Sequence, residues 1–150
     1  MKSNDVLSEL IFLGSRVVVF NLITNMVSIR NQPVNVSFDF DYKIKDIERE
    51  ENRSLCLIDY SVKVKATIKK KVLFKIELVT EGAFRSDTLA DEKFKELVEV
   101  NGLITLSHIS RAYIQSVTAQ SGINPPVRVP MININTLIEK KAKKAVPPEK

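Results

Sequence analysis

The residues that could do chemistry in this chain are few and far apart. It has one histidine, His108, and one cysteine, Cys56. A nucleophilic pair would need these side chains in contact, with a third group to orient the base. His108 falls in a helix-like segment and Cys56 near the start of a strand-like one, so nothing joins them. Together they also cannot supply the four ligands of a structural zinc site, and both are better explained as ordinary structural residues.

Two carboxylates, Asp39 and Asp41, lie two residues apart on a predicted strand and therefore project from one face. Such a pair could serve acid–base chemistry or bind a cation. The other residues of that face are simply polar, so a solvated sheet face explains the pair better. The chain has only four glycines and contains neither GxxxxGK[ST] nor GxGxxG, the common phosphate-binding loops. We therefore expect no catalytic site, no metal and no cofactor.

The composition favours a single domain over residues 1–150. Apolar residues make up 44% of the chain and aromatic residues 7%, so an aliphatic core is expected. The N-terminus carries little positive charge, and Gly14, Ser15 and Arg16 interrupt its apolar run, which argues against a signal peptide. No stretch reaches the length of a membrane span, and a lone cysteine cannot form an internal disulfide. We expect a cytoplasmic protein with no membrane partner.

Positive charge is concentrated in two places. The net charge is +5, and Glu139–Lys150 contribute +3 of it, with five lysines against two glutamates. We expect residues 139–150 to form a basic, flexible tail. A second basic stripe leaves open a module that binds nucleic acid or an acidic protein, although it lacks the interleaved aromatic residues that stack on bases. The stripe consists of Lys63, Lys65, Lys69, Lys70 and Lys71.

Four strand-like segments come first, separated by short polar connections. The clearest is Val34–Lys45, where apolar and polar residues alternate strictly, as in a strand with one buried face. Short connections between such strands predict antiparallel hairpins. The predicted strands cover Leu10–Ile29, Val34–Lys45, Leu55–Ile68 and Val72–Thr80, with a break at 31–33, a charged loop at 46–54 and a turn at 69–71.

Helical spacing replaces this alternation from Ser86 onward. Ser86 or Asp87 can cap a first helix, Asn101-Gly102 can end it, and Asn135 can cap a last one. Strands followed by helices predict an α+β fold, a four-stranded antiparallel sheet with C-terminal helices packed on one face. The predicted helices cover Asp91–Val100, Leu103–Ser121 and Thr136 to about Lys144. The second is expected to pack through Leu106, Ile109, Ala112, Tyr113, Ser116, Val117 and Gln120.

The most informative segment, Gly122–Leu137, lies between the last two helices. Its three prolines fix φ and remove N–H donors, so the segment should run extended and rigid. A long connection of this kind in a small domain is often functional. Its apolar residues either cover the sheet and helix as ordinary core or line a groove for apolar ligands. They are Val127, Val129, Met131, Ile132, Ile134 and Leu137.

Two motifs resemble the SecB family of protein-export chaperones. The proline-rich segment resembles the connection between the two C-terminal helices of SecB, and its end, Ile132-Asn133-Ile134-Asn135-Thr136-Leu137, stands where the family has a run like V-N-F-D-A-L. Upstream, Glu81-Gly82-Ala83-Phe84 resembles the small-Gly-apolar-Phe run that ends the family's last strand. The likeness extends from about Gln32 to Leu137 and agrees with the predicted order of elements.

The resemblance implies an ATP-independent chaperone without enzymatic activity, which holds unfolded or disordered polypeptides in apolar grooves. It also implies a homotetramer, a dimer of dimers, with one face of the last strand at a subunit contact. The matching interface residues are Ile76, Leu78 and Thr80. The expected client-binding residues come from the second strand and from the apolar segment. They are Phe38, Phe40, Val127, Val129, Met131, Ile134 and Leu137.

The charge departs from the family pattern. The typical export chaperone has an acidic surface and an acidic tail that meet the SecA motor. In this chain the C-terminal region is basic and contains Lys140-Lys141-Ala142-Lys143-Lys144. Docking on SecA is therefore not expected. Export and the protection of an antitoxin in a toxin–antitoxin–chaperone system both stay open as roles, beside a basic binding module and a structural oligomer without a client.

Overall fold

Four antiparallel strands form one sheet in the computed structural model, which describes residues 8–25 and 32–145. The strands are β1 (Ile11–Thr24), β2 (Asn35–Glu50), β3 (Arg53–Ile68) and β4 (Lys71–Ser86). Their spatial order is β1-β4-β3-β2, so β3 and β4 are central while β1 and β2 form the edges. Residues 26–29 of the first predicted strand, Asn31 of the predicted break and residues 146–150 of the predicted tail lie outside the described residues.

The hairpin between β2 and β3 is longer than the sequence predicts. We expected a charged loop at 46–54, but both strands continue into it and only Glu51 and Asn52 form the turn. A β-bulge follows Ile44, and the residues of β2 from Asp46 to Glu50 lie beyond it. The whole stretch from Lys45 to Glu50 is exposed. The prediction failed because exposed strand residues lack the apolar alternation that marks a half-buried strand.

One face of the sheet is packed against helices. Alternate residues of β3 and β4 point to this face and are buried, as a period of two requires. The helical layer begins with α1 (Asp91–Leu97) and α2 (Leu103–Gln120), and α3 (Ile134–Ala145) follows a connection at 121–133 that we call the proline segment. The predicted α+β fold is confirmed. The largest buried side chains of its core include Ile58, Tyr60, Phe84, Phe94, Leu103 and Leu106.

α1 and α2 form one continuous helical segment. We expected Asn101-Gly102 to end the first helix, but Val98–Gly102 form a π-helical turn that joins the two. Gly102 does not end a helix. It makes room for the Phe84 ring, because a Cβ atom at this position would lie 3.2 Å from that ring. The predicted caps at 86 and 87 are also wrong, since α1 begins at Asp91 with no side-chain cap.

α2 packs through a different stripe from the predicted one. Of the predicted stripe, only Leu106 is buried. The pattern assigned small polar residues to solvent, but these are buried and hydrogen-bonded internally. Ser110 Oγ lies 3.0 Å from Thr80 Oγ1 on β4, and the Thr118 hydroxyl donates to the Ile114 carbonyl at 2.7 Å. The buried line of α2 consists of Leu103, Leu106, Ser107, Ser110, Ile114 and Thr118.

The opposite face of the sheet carries an ion cluster around Glu81. The Glu81 carboxylate accepts hydrogen bonds from Lys45 Nζ at 2.6 Å and from Arg16 Nε at 2.7 Å, and Lys45 Nζ also lies 3.5 Å from Asp59. These bonds, with that of Lys45 the stronger, hold the pKa of Glu81 below its ordinary value although burial acts to raise it. The cluster connects both edge strands to β4, which fixes β2 relative to the rest of the sheet.

The close approach of α2 to β4 depends on Gly82. A Cβ atom at this position would lie 2.8 Å from Leu106 Cδ2 and 2.9 Å from Phe84 Cε2. Such distances are shorter than real contacts, so any side chain would force the Leu106 side chain or the Phe84 ring to move. Packing therefore explains the glycine and the phenylalanine of the Glu81-Gly82-Ala83-Phe84 motif. Gly82 has no side chain, and this leaves room for the Phe84 ring.

We expect Gly82→Ala to lower the free energy of unfolding by about 1–3 kcal/mol, because the added methyl group overpacks this contact. Urea unfolding followed by circular dichroism measures the change. Ala83→Ser, at the neighbouring residue on the other face of the sheet, is the control and should stay within ~0.5 kcal/mol of the natural protein. Equal stability of the two variants would show that α2 can shift without cost.

Candidate functional site

Two side chains of α2 hold the backbone of the proline segment. The hydroxyl of Thr118, which is fully buried, accepts a hydrogen bond from the Val127 N–H at 3.0 Å. Further along, Arg111 Nε donates to the Val129 carbonyl oxygen at 2.9 Å. Because both bonds are made to the backbone, they fix the path of the segment independently of its exposed side chains. The buried Val127 and Val129 side chains attach it to the core.

An apolar groove lies between the proline segment and the beginning of the edge strand β2. It has a volume of about 390 Å³. One side comes from β2 and the residue before it, the other from the segment, and two residues of β4 complete the lining. The lining residues are Val34, Val36, Phe38, Leu73, Phe74, Ile123, Asn124, Pro125, Pro126, Val127 and Arg128.

A second groove of about 620 Å³ continues along β2 toward α3. Phe38 lines both, so we treat them as one surface, the β2 groove. The Phe38 and Phe40 rings are stacked, with centroids 6.3 Å apart and planes 7° from parallel. From Val34 to Asp41 the strand measures roughly 25 Å. The second part is lined by Phe38, Asp39, Phe40, Asp41, Leu137, Lys140, Lys141, Lys144 and Ala145.

α3 begins earlier than predicted, at Ile134. The Asn133 side-chain oxygen accepts a hydrogen bond from the Thr136 N–H at 3.1 Å, so Asn133 caps the helix and the predicted cap, Asn135, lies inside it. The helix continues to Ala145. Residues 139–145, which we also assigned to the basic tail, belong to this helix, in line with a last helix predicted to reach about Lys144.

Lys141 attaches α3 to β2. Its ammonium donates to Asp41 Oδ1 at 2.6 Å and to the Tyr42 carbonyl, and it lies 4.8 Å from the centroid of the Tyr42 ring. Burial acts to raise the pKa of Asp41, but the bonds from Lys141 and the Tyr42 N–H hold it below the ordinary value. Burial of Tyr42 and the hydrogen bond that its hydroxyl donates to Glu99 raise the pKa of Tyr42.

Comparison with known proteins identifies the family. Residues 20–145 match the family model described as preprotein translocase subunit SecB. The chain belongs to the SecB family. The match includes β2, β3, β4 and all three helices, so the two short motifs of the sequence are part of a likeness over most of the chain. The predicted SecB resemblance is confirmed, and it places the protein in the class of SecB-like chaperones.

Two similar proteins extend this comparison. An uncharacterised protein of Methanocaldococcus jannaschii is 26% identical over 112 residues, which cover 75% of this chain and 71% of that protein. A SecB-like chaperone of Mycobacterium tuberculosis, solved in complex with a peptide from an antitoxin, superposes with a TM-score of 0.66 at 12% identity, over 83% of this chain and 91% of that one. The second likeness shows that the fold is shared.

Four of the residues predicted to bind a client line the β2 groove of this SecB-like chain, namely Phe38, Phe40, Val127 and Leu137. The sequence alone did not identify the other liners. Val34 and Val36 could have been predicted from the sequence, because they share the alternating face of Phe38 and Phe40. The lysines of α3 could not, because their place in the groove depends on how α3 packs against β2.

Three further predicted residues lie elsewhere. Val129 and Ile134 are 3% and 7% exposed and belong to the core, where they support the segment from below. Met131 is 78% exposed and is not part of the groove lining. It lies beyond the Arg111 anchor and before the Asn133 cap, so the fixed part of the segment ends before it.

The face of β4 that we assigned to a subunit contact is covered within the chain itself. Ile76, Leu78 and Thr80 are each at most 2% exposed, and Thr80 bonds to Ser110 of α2. These side chains are core and offer no surface to a second subunit. Exposed apolar side chains instead follow the edge strand β1, at Ile11, Phe12, Leu13, Val17, Val18 and Ile23.

The two candidate nucleophilic residues stay apart in the structure. Cys56 is buried on β3, where desolvation raises the pKa of its thiol to about 11, so the thiol stays protonated at neutral pH. His108 lies on the exposed side of α2. Within residues 8–25 and 32–145, no cluster of histidine, cysteine and carboxylate side chains has the arrangement of a metal site. No helix in the same ranges is long and apolar enough to cross a membrane.

We expect Thr118→Val to lower the free energy of unfolding by about 1–3 kcal/mol, because it leaves the buried Val127 N–H without an acceptor. Urea unfolding measures the loss, and hydrogen exchange should show faster exchange at the Val127 amide. Thr118→Ser keeps the hydroxyl and should recover most of the protection. Thr105→Val, on the same helix at a less buried position, is the control. An unchanged Val127 amide in Thr118→Val would show that the segment is held by its side chains alone.

Proposed function

We propose that this SecB-like protein is a holdase, an ATP-independent chaperone that binds an unfolded or disordered polypeptide segment in the β2 groove. The continuity of the groove carries this proposal, because Phe38 lines both parts and stacks on Phe40. Membership of the SecB family supports the chaperone class. The Mycobacterium tuberculosis protein of the same fold, solved with an antitoxin peptide, supports a polypeptide ligand.

The groove suits an extended client for two physical reasons. Its apolar lining favours burial at ~25 cal/mol per Å² of apolar surface, reduced by the cost of ordering the client. In addition, β2 is an edge strand, so its outer backbone groups can pair with an added strand, as in β-augmentation. Lys141 already bonds to the Tyr42 carbonyl, which limits this pairing to the part of β2 before Tyr42.

A second candidate function rests on the open face of the sheet. Lys65 and Lys75 lie directly opposite each other in the β3–β4 register, while the neighbouring Lys63 on the same face forms an ion pair with Glu77 at 3.8 Å. Like charges placed in this way repel, so an acidic protein or a nucleic acid would be bound favourably there. This binder would lose affinity steeply as salt is raised, because counterion release drives it. Groove binding should change little, because apolar burial is not screened.

We further propose that the protein is a homo-oligomer, a dimer of dimers, in which the two chains of each dimer contact each other along β1. This edge strand exposes apolar side chains and carries Arg16 as its one charged residue. Natural proteins protect free edges with charges, so an apolar edge with a single charge favours pairing with a second chain. The result would be a sheet continuous between two copies, with each β2 groove at an outer edge.

Client capture should weaken roughly tenfold in the double variant Val34→Ser, Val36→Ser, because about 0.8 kcal/mol is lost for each apolar carbon group no longer buried. Both side chains are exposed without a client, so stability should stay within ~0.5 kcal/mol. The measurement is suppression of the aggregation of a chemically unfolded protein, without ATP, at low and high salt. Met131→Ser, outside the groove, is the control and should capture normally. Equal capture by both variants, or capture that high salt abolishes, would count against the groove.

Val18→Lys should split the oligomer, because a lysine on the edge strand prevents pairing along β1. The molar mass from light scattering after size exclusion measures this. Val36→Lys places the same change on the other edge strand, at a side chain that is 45% exposed like that of Val18, and should leave the mass unchanged. A natural protein that is monomeric, or a Val18→Lys variant with full oligomer mass, would contradict the β1 contact.

A further inference from the structure

The charges that line the β2 groove are unevenly distributed. Arg128 lies at the end formed by the proline segment, and three lysines of α3 lie at the other end, with only apolar residues and amides lining the groove beside Arg128. Two carboxylates, Asp39 and Asp41, oppose them. Asp41 is bonded to Lys141, so these two charges neutralise each other. The remaining charged residues of the lining are Lys140 and Lys144 at one end, Arg128 at the other, and the carboxylate of Asp39.

The lysines of α3 differ in whether they line the groove. Lys140 and Lys144 are four residues apart, on one side of the helix, and both line the groove, whereas Lys143 does not. Neither Lys140 nor Lys144 takes part in a salt bridge to any residue that the structure describes. Lys144 is close enough to contribute to the lowered pKa of Asp41. Two like charges at this spacing destabilise a helix, so their arrangement is better explained by what they meet in the groove.

We infer that the β2 groove selects polypeptide segments in which acidic residues flank an apolar stretch. This inference rests on the proposed holdase function and names its substrate class. The apolar stretch would lie over Val36, Phe38 and Phe40. Carboxylates at its ends would meet Lys140 and Lys144 on one side and Arg128 on the other, so charge complementarity adds to burial.

The selectivity should be moderate and sensitive to salt. Lys140, Lys144 and Arg128 are exposed, and an exposed ion pair contributes little. Summed over these contacts, an acidic segment should bind roughly tenfold more tightly than a basic one at low salt. Most of this difference should disappear near 1 M salt, where the screening length falls to about 3 Å, while the apolar contribution stays.

Three fluorescent peptides of about 14 residues test the inference with the full chain. They share one apolar centre of leucine, valine and phenylalanine and are flanked by aspartates, serines or lysines. We expect the affinities to fall in the order aspartate, serine, lysine, as measured by anisotropy at low and high salt. If all three bind equally, the selectivity is wrong while the groove proposal stands. If none binds, the proposed function itself fails.

A matched pair of variants locates the selectivity. Lys140→Glu should remove most of the preference for the aspartate peptide and leave the serine peptide within about twofold of its original affinity. Lys143→Glu makes the same charge change on the same helix, outside the groove, and should keep the preference. Equal loss in both variants would show that net charge and not the groove is responsible. Displacement of the aspartate peptide by a single-stranded oligonucleotide, with the serine peptide unbound, would overturn the inference in favour of a nucleic-acid site.

Discussion

The distance between α2 and β4 determines where the other functional parts lie. At Gly82 the helix and the strand approach so closely that a methyl group would come within 2.8 Å of Leu106. The same helix then holds the proline segment through Thr118 and Arg111. One side of the β2 groove is therefore held by α2 through the proline segment, and the other side belongs to the sheet.

The sheet could be predicted from the sequence because its central strands have one buried and one polar face. Prediction failed where this contrast is missing. The end of β2 is exposed on both faces, so its polar residues looked like a loop. In α2, Ser110 and Thr118 are buried because their hydroxyls find partners, which apolar periodicity does not register. Gly102 looked like a helix end although it makes room for the Phe84 ring.

The site was predictable to the extent that it lies on regular strand. Phe38 and Phe40 share the alternating face of β2, and the proline-rich composition marked the opposite wall. Whether a valine of the segment points into the core or into the groove depends on the anchors at Thr118 and Arg111, which are separated from it in sequence. Lys140 and Lys144 line the groove from a helix whose Lys141 binds Asp41 of β2, a contact between residues that are far apart in sequence. Such relations between distant elements leave no periodic signal.

The anchoring of the proline segment also has a kinetic consequence. A wall held by two hydrogen bonds between α2 side chains and its backbone, and by two buried valines, exists before any ligand arrives, so no lid has to open and no loop has to fold. Association would then be a simple second-order encounter, whose rate rises in proportion to ligand concentration, and the lifetime of the complex would carry most of the difference between strong and weak ligands. For the proposed holdase, a site that is always open would add no conformational step to the capture of a client.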